Sequence, residues 1–228
     1  MAMKETELAQ HIIEFVERLG WEVYQEVQLH PNSKVADILA TNNLGEVWII
    51  ETKTTFGLAV IEQAYYWSVH YRSIGIPALI GRGYQNRKKR SFGYKVATQF
   101  ANLGILEVVE RYSETVVNQF RVAPINPHVD NRLIKHIFET LTPLHKTYAQ
   151  AGNPNGNRLT PYNQSMMSVK EFITNHPNCT VANIVDNLGK LHYASVASAK
   201  GSLLTALRDY EDWCVVNTTV RPFTFSIK

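Results

Sequence analysis

Cysteine is scarce in this chain: Cys179 and Cys214 are the two among 228 residues. That is too few for a disulfide scaffold or a cysteine zinc cluster, and a reducing compartment fits the count. No run approaches the roughly 18 apolar residues that a membrane span needs, so a membrane is not an expected partner. The opening residues MAMKETELAQ lack the apolar core of a secretory signal, and the expected location is cytoplasmic. The eight histidines are scattered without metal-ligand spacing, and no Walker motif, dinucleotide-binding fingerprint or nucleophile elbow occurs. Acidic residues are also missing from one whole stretch, Arg82 to Lys95.

What is present describes a folded chain. Apolar residues make up 45% and charged residues 19%, enough for a real core and against disorder. The length suits one large or two modest domains. A net charge of +3 permits a polyanionic partner without requiring one.

Hydrophobic spacing gives the order of elements. Leu8, Ile12, Phe15 and Leu19 recur at steps of three and four, which predicts a helix over residues 5–19 ending near Gly20. Alternation predicts strands over 21–29, 35–40 and 47–53, and the unbroken Val47-Trp48-Ile49-Ile50 reads as a central strand buried on both faces. A helix over about 58–72, a strand over 77–80, a helix over 93–103 and a strand over 105–109 follow. Residues 112–122 suit another strand or hairpin, and 129–141 a helix ended by Pro143. The expected architecture is α/β, a mixed sheet flanked by helices. Residues 1–149 form the first predicted domain. The Asn-, Gly- and Pro-rich segment 150–165 reads as a linker, and 166–228 as a second domain. There, helices are predicted over 169–175 (capped by Ser168), 181–188 and up to about 210, then a hairpin of 214–216 with 223–227. Three short helices and a two-stranded ribbon are similar to a winged helix, a small α+β domain.

The charges that interrupt the apolar strands carry the functional signal. Asp37 breaks VADILA, and Glu51 and Lys53 sit two apart at the end of VWIIETK, on one face. Isolated charges at the rim of an apolar sheet are costly, and their convergence across a short turn suggests a metal site. Glu7 lies at the edge of the first helix's apolar stripe. It reads either as a solvated first-turn residue or as a carboxylate looking toward the sheet. Downstream, Arg82, Arg87, Lys88, Lys89, Arg90 and Lys95 are interleaved with Tyr84, Phe92 and Tyr94. That pattern reads as either a solvated charge run or a phosphate-contacting loop.

With its flanking helices, this stretch resembles the PD-(D/E)xK nuclease superfamily over roughly residues 5–109. Asp37 matches the isolated aspartate, and Glu51-Thr52-Lys53 matches the ExK tripeptide. Glu7 corresponds to the first-helix acid, and Gln63 to the glutamine of RecB-like and some resolvase-like branches. Trp67 stands where those branches carry tyrosine, with Tyr66 just before it. The resemblance implies a restriction-endonuclease-like fold and hydrolysis of DNA, with Mg²⁺ (Mn²⁺ as substitute) held by Asp37, Glu51 and Glu7. Lys53 would act on the attacking water, and Gln63 would position the scissile phosphate or Lys53. The winged-helix-like domain would recognise substrate, build a homodimer or bind a partner protein. The alternative is a nucleic-acid-binding protein with a degenerate, non-catalytic nuclease fold.

Overall fold

The computed structural model describes residues 3–30, 33–83, 92–111, 114–121, 131–153 and 159–228. It separates into two compact units, Met1–Leu159 and Thr160–Lys228. Among the described residues no helix is long and apolar enough to cross a membrane.

The first unit begins with helix α1 (Glu5–Arg18). Its apolar stripe has the helical period, so Leu8, Ile12, Ile13 and Val16 share one face and are buried. Strands β1 (Glu22–Gln28), β2 (Val35–Thr41) and β3 (Val47–Lys53) form an antiparallel meander. Helix α2 (Leu58–Tyr71) then crosses over to β4 (Ala78–Gly83), which pairs parallel with β3. Helix α3 (Phe92–Lys95), continued by a π turn over Val96–Phe100, leads to β5 (Gly104–Arg111), again parallel. Strand β6 (Glu114–Arg121) closes the sheet antiparallel to β5, so the spatial order β1-β2-β3-β4-β5-β6 repeats the order in sequence. Short helices α4 (Asn131–Thr140) and α5 (Leu144–Thr147) follow.

The sheet has a core on each face. Leu8, Ile12 and Val16 of α1 pack with Ile38, Ile50, Leu79 and Leu106 on one side. Val60, Ala64, Trp67 and Tyr71 of α2 pack with Leu39, Ile49 and Ile80 on the other. That is why β3 reads as a continuous apolar run: it is covered on both sides.

Regular alternation would keep Val23 and Val27 on one face. The structure puts Val23 in the α1 core and Val27 in the α2 core. The cause is Glu26, whose φ of 50° is left-handed in the middle of a strand. On β2, Ala36 joins the α2 core while Ile38 and Ala40 join the α1 core, so both strands change face at the same level. The pairs Gln25↔Ile38 and Val27↔Ala36 bracket that level, leaving Glu26 opposite Asp37.

The second unit begins with α6 (Pro161–Asn175), eight residues before the helix start at 169 expected from sequence. Thr160 caps it through the Asn163 N–H at 3.1 Å, and Pro161 occupies the first turn, where its missing N–H costs nothing. Ser168 lies inside the helix and bonds back to the Gln164 carbonyl. The two-residue strand β7 (Cys179–Thr180), helices α7 (Val181–Leu188) and α8 (Val196–Asp209), and strands β8 (Cys214–Asn217) and β9 (Thr224–Ile227) complete it. The three strands are ordered β7-β9-β8 over a core centred on Phe225, Val169, Ile173 and Leu203. The unit is a small α+β domain.

One polar pair is built into the first core. Arg82 and Glu107 are cross-strand partners on β4 and β5, 4% and 2% exposed, with Nη2 to Oε1 at 2.7 Å. The guanidinium also lies over the Phe56 ring at 4.7 Å. Arg82, assigned from sequence to the phosphate-contacting run, is therefore committed to the interior; its spacing in the run could not show that a buried carboxylate faces it. Glu107→Ala should lower unfolding stability by about 3–5 kcal/mol by leaving a buried cation unpaired. Arg82→Met combined with Glu107→Leu should recover most of that loss in chemical denaturation.

Candidate active site at the carboxyl end of strand β3

A cavity of about 410 Å³ opens where β3 ends. Asp37, Glu51, Lys53 and Gln63 line it together with Glu5, Glu26, Lys34, Gly152 and Asn153. β2 supplies Asp37, β3 supplies Glu51 and Lys53, and α2 supplies Gln63.

Each central carboxylate is oriented by a neutral donor. Asp37 Oδ2 accepts from the Thr52 backbone N–H at 2.8 Å and from its hydroxyl at 3.0 Å. Glu51, 2% exposed, accepts from the indole N–H of Trp67 at 2.5 Å. Trp67 is itself fully buried in the α2 core, one helical turn beyond Gln63. Burial pushes the Asp37 carboxyl up from its ordinary range; the two Thr52 bonds oppose that, and Glu5 adds to it. Glu51 is pushed up further, first by burial and then by the Asp37 charge. The Trp67 bond and Lys34 act against the shift, and Glu26 reinforces it. Two like charges held out of water disfavour ionisation in this way.

Lys53 Nζ meets Glu5 Oε1 at 2.7 Å, with side chains 41% and 24% exposed. Lys34 Nζ lies 5.1 Å from the centre of the Tyr66 ring. The first-helix acid in the cavity is thus Glu5. Glu7 is exposed, and its Oε2 accepts from the Lys4 backbone N–H at 3.4 Å in a capping box. Here the solvated first-turn reading prevails, because the cap turns residue 7 back to the helix start. Arg87, Lys88, Lys89 and Arg90 lie outside the described residues. Lys95 is exposed at the end of α3 and is not part of the cavity lining.

Sequence reasoning missed Glu5, Glu26, Lys34 and Asn153. The Lys4-to-Glu7 spacing of a capping box was a usable sign for Glu5, since it occupies Glu7 elsewhere. Glu26 gave no sign, because a left-handed strand residue leaves no mark in composition. Asn153 fell in the segment read as linker. Yet Ala151 is fully buried there, and its N–H donates to Gln25 Oε1 at 3.0 Å.

Among the described residues, no three His, Cys, Asp or Glu side chains group as a ready-made metal cage. No family model matches the chain, and no curated protein matches it. Among solved structures it is similar to a protein of unknown function from Silicibacter pomeroyi, at 14% identity. The likeness covers 61% of this chain and 85% of that one with a TM-score of 0.42, a level that carries no argument.

Two predictions follow from the electrostatics and the packing. A carboxyl whose folded-state pKa is raised costs no stability below its unfolded value. Stability is then lost as pH rises through the raised folded value. In EDTA, Glu51→Gln should therefore melt above the wild type at pH 7 to 8, with the gap closing toward about pH 4, where unfolded carboxylates protonate. Gly152 has φ 74°, and a Cβ there would stand 2.8 Å from the Glu5 carbonyl oxygen. Gly152→Ala should cost about 1–3 kcal/mol in denaturant titration.

Proposed function

We propose that the first unit is a metal-dependent phosphodiester hydrolase of the PD-(D/E)xK, restriction-endonuclease-like kind, acting on DNA as an endonuclease. The observation that carries this reading is the convergence in one cavity of Asp37, Glu51, Lys53 and Gln63 from two paired strands and the next helix. The choice of DNA follows from the sequence resemblance.

The donor set fits a hard divalent cation. Asp37 and Glu51 are oxygen donors whose mutual repulsion and burial a dication would offset. Mg²⁺ takes one or two carboxylates and keeps its remaining positions for water and substrate phosphate, so a three-acid cage is not required. Asp37 and Glu51 would hold Mg²⁺ or Mn²⁺, with Glu5 in the part first assigned to Glu7. When bound, the ion supplies Lewis acidity at a phosphate oxygen and a more acidic water.

The chain's own groups do the positioning. Thr52 and Trp67 fix the carboxylate oxygens through the bonds described above. Lys53 offers its ammonium to the phosphate as negative charge builds there, and holds the attacking water through an N–H. Its partly exposed contact with Glu5 is of a kind worth only about 0–1 kcal/mol, so it exchanges readily. Gln63 donates its amide to a phosphate oxygen.

The second unit has the helix–strand–helix–helix–strand–strand order of a winged helix, and we assign it that fold. On α8, Lys200 pairs with Asp186 at 3.6 Å and Arg208 with Asp209 at 2.7 Å. Both pairs are exposed and exchange as readily as Lys53 with Glu5, so this domain would serve either a nucleic-acid contact or a protein contact, with a second copy of the chain as one occupant. A two-fold dimer would present one catalytic site to each strand of a duplex.

The test offers linear duplex, supercoiled plasmid, single-stranded and branched DNA and RNA, with Mg²⁺ or Mn²⁺. DNA cleavage is expected, and Asp37→Ala or Lys53→Ala should lower its rate by about 10²-fold or more. Either ion should also raise the wild-type melting temperature and leave Asp37→Ala unmoved. Cleavage that persists in both variants overturns the site assignment. Failure to cut any substrate supports the non-catalytic binding fold in its place.

A further inference from the structure

One wall of the cavity lies outside the part of the chain that resembles the nucleases. That part ends near residue 109, whereas Gly152 and Asn153 come from the far end of the first unit. Their approach is built in several ways. Ala151 is fully buried against the α1 core and tied to Gln25 through its N–H. The Asn153 N–H donates to the Gln150 carbonyl at 3.2 Å, closing a four-residue turn. Gly152 is the third residue of that turn, and its positive φ is the conformation glycine adopts without strain. The turn presses so closely on Glu5 that a Cβ at Gly152 would stand 2.8 Å from the carbonyl oxygen and 2.9 Å from its carbon. The residue it presses on is the one that holds Lys53.

The position of Asn153 gives it a chemistry. Helices α1 and α2 cover opposite faces of the sheet. Gln63 reaches the cavity from α2, while Asn153 reaches it from the turn seated against the start of α1. Two amide-bearing residues therefore border, from opposite faces, a cavity whose other polar lining residues are acids and lysines. A carboxamide N–H₂ donates to a phosphate oxygen without adding charge to a site already crowded with it.

We infer that Asn153 is a substrate-positioning residue. Its carboxamide donates to a non-bridging phosphate oxygen of the strand lying over Asp37 and Glu51, on the side away from Gln63. The inference rests on the proposed hydrolase reading for its substrate class. A purely structural part for this turn would be filled by Gly152 and Ala151 and would leave ligand affinity indifferent to the Asn153 side chain.

The test uses the full chain and fluorescein-labelled single-stranded and duplex DNA of twelve nucleotides, read by anisotropy at low salt with Ca²⁺ in place of Mg²⁺. Melting temperatures are taken alongside. Asn153→Ala should weaken binding by about three- to tenfold, the net loss of one ordinary solvent-accessible hydrogen bond. Asn153→Asp should weaken it by more than Asn153→Ala, because a fifth carboxylate then faces the phosphate. Where the wild type cleaves, the same factors should appear in KM, with kcat within about twofold, as expected for uniform binding. Affinities of both variants within about twofold of wild type overturn the inference, as does a wild type that binds neither oligonucleotide. If Asn153 variants lose affinity in the expected order while no metal elicits cleavage, the hydrolase reading falls and the phosphate contact stands.

Discussion

The first unit depends on keeping two carboxylates side by side out of water. Asp37 and Glu51 arrive on paired strands, and Glu51 follows directly on the apolar run Val47-Trp48-Ile49-Ile50, which is covered on both faces. Nothing in hydrophobic packing asks for them there, and each raises the cost of ionising the other. The structure meets that cost with donors placed around the pair. Thr52 gives two hydrogen bonds to Asp37, Trp67 gives one to Glu51, and Lys34 and Lys53 add opposite charge. The compensation is partial, since both carboxyls still lie above their ordinary range. A fold that accepts this at the end of its central strand is one in which a local destabilisation goes with a site.

The backbone around the pair bears the same mark. Glu26 holds a left-handed conformation that a non-glycine residue adopts at a cost of about 1–3 kcal/mol. Its effect is a shift in the phase of alternation of β1 and β2 at the level of Asp37, so that Val23, Ile38 and Ala40 feed the α1 core while Val27 and Ala36 feed the α2 core. A regular β2 would have sent Asp37, like Leu39, to the face of the α2 core. Asp37 instead sits at the shift and lines the cavity.

Much of this architecture was legible in the sequence, and the rest was hidden for identifiable reasons. The apolar run of β3, the stripe of α1 and the order of strands and helices follow from periodicity, because burial on one or two faces writes itself into residue spacing. Charges interrupting that spacing singled out Asp37, Glu51 and Lys53, the family resemblance added Gln63, and the structure brings all four to one cavity. The choice of Glu7 over Glu5 went the other way because capping geometry, not the apolar stripe, decides where first-turn side chains point. Trp67 read as a departure from a tyrosine pattern; its indole N–H turns out to hold Glu51. Segment 150–153 read as linker from its polarity, yet polarity cannot register a contact that only a glycine backbone makes.

Neighbouring cations on the sheet show what separates a structural charge from an available one. Lys53 and Arg82 are cross-strand partners on β3 and β4, and each meets a carboxylate at 2.7 Å. Distance therefore does not tell them apart. Burial does: the Arg82 pair is closed from solvent, whereas the side chains of Lys53 and Glu5 are 41% and 24% exposed. In the closed pair, separation would strand a charge in low dielectric, so the contact is fixed for as long as the fold persists. In the open pair, water replaces each partner at little cost, so another anion can take the ammonium. One cation thus serves to hold β4 against β5, and the other, one strand away, can exchange its partner for another anion.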